Sequence, residues 1–124
     1  MNDQDPLTGS IIGAAIEVHR KLGPGLLESV YAKCLRHQLG LRGIPFLKSV
    51  SVPIIYKDLC VENGLILDLL VGDRVVVELK SVDALHPVHH AQLLSYMRLS
   101  NIPLGLLMNF NVSVLKDGIK RLIN

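Results

Sequence analysis

The chain has 124 residues, 49% of them apolar, a net charge of +2 and a mean hydropathy of +0.38. That is enough for one ordinary domain with a real core, but no window supplies the ~18 uncharged apolar residues of a membrane-spanning helix, and the acidic start Met-Asn-Asp-Gln-Asp-Pro is no signal peptide. Cys34 and Cys60 lack zinc-ligand spacing and read as free thiols of a reducing cytoplasm, while the small charge excess permits nucleic-acid binding without arguing for it.

Residues 1–7 read as a loose, flexible tail, and residues 8–124 as a single domain. Thr8 or Ser10 can cap a helix over 8–22, with Ile11, Ile12, Ala15, Ile16 and Leu22 on its apolar stripe. His19 is expected on its surface. Gly23-Pro24-Gly25 stops that helix. A second helix is expected over 26–41. Glu28, Tyr31 and Leu35 share one face of it, and Leu27, Val30, Cys34 and Leu39 widen the stripe. Glu28 falls in the first turn, where it either answers the helix dipole or points at a site. A strand over 46–56 follows, and Pro53 assigns it an edge position or a bulge. After a polar turn at Lys57-Asp58, Asn63-Gly64 carries a hairpin signal.

Residues 64–82 are the centre of the chain. Two apolar runs flank Gly72-Asp73-Arg74, which reads as a hairpin turn. Val75, Val76 and Val77 mark a strand buried on both faces. Asp68 interrupts the first run, and Glu78 and Lys80 interrupt the second. A turn centred on Asp73 sets Asp68 opposite Glu78, with Cβ atoms about 4.5–5.5 Å apart. Alternation then brings Glu78 and Lys80 to the same face. Opposed carboxylates repel unless a cation joins them, and Mg²⁺ takes carboxylate oxygens while keeping several waters. The plainer alternative is Asp68 at a strand end beside one Glu78–Lys80 surface ion pair.

A loop over 81–87 leads to a helix over 88–100, on which Gln92 and Tyr96 share a face. They either contact a phosphate, a base or a carboxylate, or Tyr96 is simply core. His86, His89 and His90 lack the spacing of a zinc pair. Residues 104–110 read as a buried strand, returned by a crossover to lie parallel to an earlier one. Residues 112–115 and 119–123 read as a hairpin about Asp117-Gly118, with a short C-terminal helix as the alternative. Lys116, Lys120 and Arg121 form the densest basic cluster.

The order of elements, with Asp and then Glu-x-Lys on the central hairpin, resembles the PD-(D/E)XK nuclease superfamily. Within it, the chain is most similar to the GxxExxY proteins. The name-giving motif stands here as Gly25-Leu26-Leu27-Glu28-Ser29-Val30-Tyr31. Glu17-Val18-His19-Arg20-Lys21-Leu22-Gly23-Pro24, Asp68-Leu69-Leu70-Val71, Val77-Glu78-Leu79-Lys80, Ala91-Gln92-Leu93-Leu94-Ser95-Tyr96 and Gly118-Ile119-Lys120-Arg121 follow the same pattern. The resemblance covers residues 8–124.

It implies an α/β fold with a restriction-endonuclease-like core, a central mixed β-sheet flanked by helices. It implies Mg²⁺ or Mn²⁺ held by Asp68 and Glu78, with the Leu79 carbonyl joining them. Lys80 takes the catalytic lysine role, Glu28 supports a metal-bound water, and Gln92 and Tyr96 match a Gln-x3-Tyr helix motif. The implied activity is hydrolysis of phosphodiester bonds in DNA or RNA, with Lys116, Lys120 and Arg121 contacting the nucleic acid. Ile66 departs from the family pattern, which has arginine two residues before the aspartate. The alternative function is a catalytically silent module that binds nucleic acid or a protein partner. A domain this small has little surface for gripping a duplex, so a homodimer or a protein partner is also expected.

Overall fold

The computed structural model describes residues 5–124. The expected tail falls mostly outside that range, but its residues 5–7 open the first helix. Helix α1 spans Pro6–Leu22, two residues earlier than the sequence suggested. Asp5 is the cap: its carboxylate accepts from the N–H of Leu7 at 2.9 Å and of Thr8 at 3.1 Å. Pro6 follows at the first helical position, where its missing N–H costs nothing. Asp5 also pairs with Arg74, tying the helix start to the β-turn.

Helix α2 spans Glu28–Leu41. Tyr31, Leu35 and Leu39 are its fully buried stripe. Leu27 and Val30 are exposed, so the stripe is narrower than the sequence suggested. His19 is the other correction in this layer. It is buried, its Nε2–H donates to the Val112 carbonyl at 2.8 Å, and its ring tilts against Phe110.

Strands β1 (Phe46–Tyr56), β2 (Leu59–Val71) and β3 (Val75–Lys80) precede helix α3 (Pro87–Ser100), and β4 (Leu104–Asn109) and β5 (Ile119–Ile123) follow it. They form one mixed sheet in the order β1-β2-β3-β4-β5. Only β3 and β4 are parallel, because only they are joined by a helical crossover. α1 and α2 cover one face, burying Val75, Val77, Leu79, Leu106 and Met108. α3 covers the other, burying Val76 and Leu107 against Leu93 and Met97. Burial on both faces explains the unbroken valine run of β3.

Two turns differ from expectation. Asn63-Gly64 is no hairpin turn; β2 runs straight through it, and the turn lies at Lys57-Asp58. Asn63 instead adopts a left-handed φ of 54° within a bulge, where the register shifts between Val52 and Ile54. Gly64 is needed there because a Cβ would stand 2.6 Å from Ile54 Cγ1. At the C-terminus, residues 112–115 do not pair with β5. A single 3₁₀ turn, Leu115–Gly118, leads into β5, which takes the open edge of β4. Burying Leu115 in the α1–α2 layer holds that segment off the sheet.

The β1–β2 ribbon swaps faces partway along. Phe46 and its partner Val71 belong to the α1–α2 layer, whereas Val50 and Leu67 belong to the α3 layer. The swap falls at Ser49 and Asp68, which form no ladder pair, and Ser49 has a φ of 55°. The β2–β3 ladder ends at the same point, with Leu69 opposite Val77.

Candidate functional site

The central turn has the register that the sequence suggested: Val71 faces Val75, Leu70 faces Val76 and Leu69 faces Val77. The next step sets Asp68 across from Glu78, at the point where β2 and β3 separate. Glu78 is 5% exposed, Asp68 is exposed and Lys80 is half-buried.

Glu78 is the electrostatic centre. Its Oε1 is buried and has no hydrogen-bond partner among the described residues. Burial pushes its carboxyl from 4.5 up to about 8; the nearby Asp68 carboxylate adds to the rise, and Lys80 offsets part of it. Glu28 senses the same charges. Partial burial raises its pKa most, Lys80 pulls it back and Asp68 raises it further. Four residues from α2, β2 and β3 therefore meet around one point.

Local chemistry explains how Glu28 gets there. Gly25 turns the chain at φ 98°, a conformation side chains resist. The Tyr31 hydroxyl then clasps the turn, donating to the Gly23 carbonyl at 2.5 Å and accepting from the Leu26 N–H at 3.1 Å. Its ring stacks on Phe110 with centroids 4.7 Å apart. Ser81, next to Lys80, donates to the Leu26 carbonyl at 2.6 Å. The loop before Glu28 is thus bonded to the end of the strand carrying Glu78 and Lys80. The spacing of Gly25, Glu28 and Tyr31 is that of a turn, the carboxylate that follows it and the side chain that clasps it.

The far end of β3 is held by Asn109. Buried at the end of β4, it accepts from the Val82 N–H at 3.1 Å and donates to the Val82 carbonyl at 3.0 Å. The Lys80 carbonyl accepts from Phe110 N–H at 2.8 Å, toward β4. Successive carbonyls of a strand point opposite ways in the sheet plane, so the Leu79 carbonyl is directed toward β2. The ladder there has already ended.

Gln92 and Tyr96 lie on α3, and Gln92 Nε2 donates to the Tyr96 hydroxyl at 3.2 Å. They pair with each other rather than with the carboxylates. Tyr96 also packs into the α3 layer, as its core reading expected. Lys116, Lys120 and Arg121 are exposed on the 3₁₀ turn and β5, two strands from β3. The His86–His89 pair is a helix cap: His89 Nδ1 accepts from the His86 N–H at 3.0 Å.

A cleft of about 230 Å³ opens beside Asp68, between α2 and the ribbon. Glu28, Ser29, Arg36, Ser49, Asp68 and Leu79 line it. Nothing in the residue pattern singles out Ser29, Arg36, Ser49 or Ser81. Spacing along α2 was the available signal for Arg36, which lies two turns beyond Glu28 on the same stripe.

Among the described residues, no group of three or more His, Cys, Asp or Glu side chains could by itself hold a metal ion. The donor set nevertheless fits a hard divalent cation. Mg²⁺ is commonly held by one or two carboxylates, with water and substrate phosphate completing its shell. Asp68 and Glu78 are two such carboxylates, and one oxygen of Glu78 is buried without a partner.

A family model described as the PD-(D/E)XK nuclease superfamily matches residues 5–122. No curated protein matches the chain, and no solved structure matches it.

Proposed function

The chain belongs to the PD-(D/E)XK nuclease superfamily, with the mixed sheet and flanking helices of that α/β fold, and we propose that it is a Mg²⁺- or Mn²⁺-dependent nuclease that hydrolyses phosphodiester bonds of DNA or RNA. The observation carrying this reading is the buried, partnerless Oε1 of Glu78 beside Asp68. Leaving such a group without compensation costs about 1–3 kcal/mol or more. Asp68 and Glu78 would hold a divalent cation, whose charge would offset that cost. A silent scaffold has to meet it with a proton on Glu78 shared with Asp68.

In this reading Asp68 and Glu78 hold the cation, with the Leu79 carbonyl as a third oxygen. When bound, the cation activates water and offsets charge on the phosphate. Lys80, on the same strand face as Glu78, orients the attacking water and adds positive charge where the phosphorane develops. Glu28, its carboxyl raised by partial burial, accepts a hydrogen bond from that water. As the water oxygen bonds to phosphorus, its proton passes to the Glu28 carboxylate that accepts its hydrogen bond. The bond to the leaving oxygen breaks, and that oxygen takes up a proton from solvent. Gln92 and Tyr96, presented together from α3, steady the substrate. Lys116, Lys120 and Arg121 attract the polyanion by charge.

The test is cleavage of a panel of single-stranded, double-stranded and branched DNA and RNA, with Mg²⁺, with Mn²⁺ and with chelator. Metal-dependent cleavage by the wild type that vanishes in Asp68→Ala and Glu78→Gln is the expected result. No cleavage of any substrate, with a melting temperature indifferent to both metals, overturns the reading.

A further inference from the structure

Arg36 is a cation whose position the carboxylates do not explain. It lines the cleft beside Ser29, Ser49 and Asp68 and is half-buried on α2. Yet the Glu28 and Glu78 carboxyls respond to Lys80 as their nearby cation. Among the described residues, the ion pairs are Arg42–Glu17 and Arg74–Asp5, and Arg36 enters neither of them. It makes no hydrogen bond to a described residue either. A guanidinium partly withdrawn from water has lost solvation without gaining a counter-ion, and its planar fork matches the oxygens of a phosphate.

Its distance from the reacting centre is also informative. Glu28, Ala32 and Arg36 follow one another at four-residue steps along one stripe of α2 and all line the cleft. Eight residues of helix span about 12 Å. Arg36 therefore enters the cleft about two helical turns beyond Glu28, a placement that suits a phosphate further along the same strand. Ser29 and Ser49 add hydroxyl donors to the path between. Ser49 stands at the face swap of the ribbon, where its unpaired backbone leaves room.

We infer that Arg36, with Ser29 and Ser49, forms an anion subsite that grips a non-scissile phosphate of the nucleic-acid strand, along α2 from the carboxylates. This rests on the nuclease reading of the neighbouring site. The subsite gives direction to binding: the strand runs in the cleft between α2 and the β1–β2 ribbon. Arg36 contributes to holding substrate, not to the chemical step, so its loss acts on KM and leaves kcat almost unchanged.

The experiment measures binding of labelled single-stranded and duplex oligonucleotides by the full chain. Ca²⁺ replaces Mg²⁺, and salt runs from about 50 to about 200 mM. Wild type, Arg36→Ala and Arg36→Lys are compared, with thermal melts of each and with cleavage kinetics in Mg²⁺. In Arg36→Ala, affinity should fall about tenfold, and the salt slope should shrink by about 0.7 for a single strand or about 0.9 for a duplex. Arg36→Lys should keep most of the slope while losing part of the affinity, because it retains charge but not the fork. The metal-induced rise in melting temperature should be the same in all three proteins. A wild type that binds and cleaves, with Arg36→Ala indistinguishable in slope and KM, overturns the subsite and leaves the nuclease reading standing. A lowered melting temperature with unchanged binding identifies Arg36 as a structural residue and overturns it equally. A wild type that binds and cleaves nothing overturns both.

Discussion

Two concavities flank α2, and they differ in kind. The larger, about 530 Å³, lies between α1 and α2 and is lined by Val18, Leu22 and Cys34 together with Arg20, Lys21 and Lys33. The smaller, about 230 Å³, holds the carboxylates, Arg36 and two serines. The larger is mostly apolar and its one acid, Glu17, is already paired with Arg42 at 2.8 Å. Nothing in it is buried at a cost. In the smaller, an acid is displaced from its ordinary pKa, and Glu78 beside it carries an oxygen that no described residue satisfies. Volume measures how well two helices fill the space between them. Unrelieved desolvation measures what the fold has been made to tolerate, and that is the better mark of a site.

The sharpest way to break this contrast is Glu78→Gln. Cleavage should fall by at least about a thousandfold, the scale of losing a group that organises the transition-state charge. The metal-dependent rise in melting temperature should vanish with it. If instead Glu78→Gln keeps full activity while substitutions in the larger groove abolish it, the two concavities have been assigned the wrong way round.

Lys80→Ala should abolish cleavage nearly as completely while leaving metal binding intact. Its effect on stability separates the readings. If Lys80 is merely the counter-ion of Glu78, its removal strands a buried charge wherever Glu78 is ionised, above about pH 8 without metal, and costs about 3–5 kcal/mol there. Chemical unfolding in chelator measures this directly, and the catalytic reading expects a smaller loss.

The pH dependence of stability follows from Glu78. Its folded pKa, about 8, lies above the ordinary value of 4.5, so the native state holds a proton that the unfolded chain releases. The stability this provides is complete below about 4.5 and is lost as pH rises through about 8. In chelator, unfolding free energy should fall by about 2–4 kcal/mol over that window. Glu78→Gln should flatten the fall, and added Mg²⁺ should reverse it, since metal takes the place of the proton.

The smallest effects belong to the larger groove. Lys33→Ala and His37→Ala should each alter stability by less than about 0.5 kcal/mol, as exposed substitutions usually do. Cleavage by both should stay close to that of the wild type.

The contrast also explains what could be read from the chain beforehand. The β2–β3 register was legible because an odd turn about Asp73 and two apolar runs leave one pairing that keeps valines inside. The parallel placement of β4 followed from its position after a crossover helix. Asn63-Gly64 misled because a left-handed asparagine before glycine serves a bulge as readily as a turn, and local sequence cannot tell them apart. His19 misled because its partner is a backbone carbonyl at residue 112, far along the chain. The larger groove left no trace, since it is formed by what two helices fail to fill. Arg36 was visible only as one more charge on a helix; the absence of a partner is a property of the fold alone.

The face swap at Ser49 and Asp68 has a mechanical consequence. One hydrophobic layer grips the ribbon before this point and the other grips it after, so the crossing itself belongs to neither. A carboxylate mounted there is anchored on both sides, by Leu67 in one layer and by Leu69 in the other, so its position is set by two cores at once.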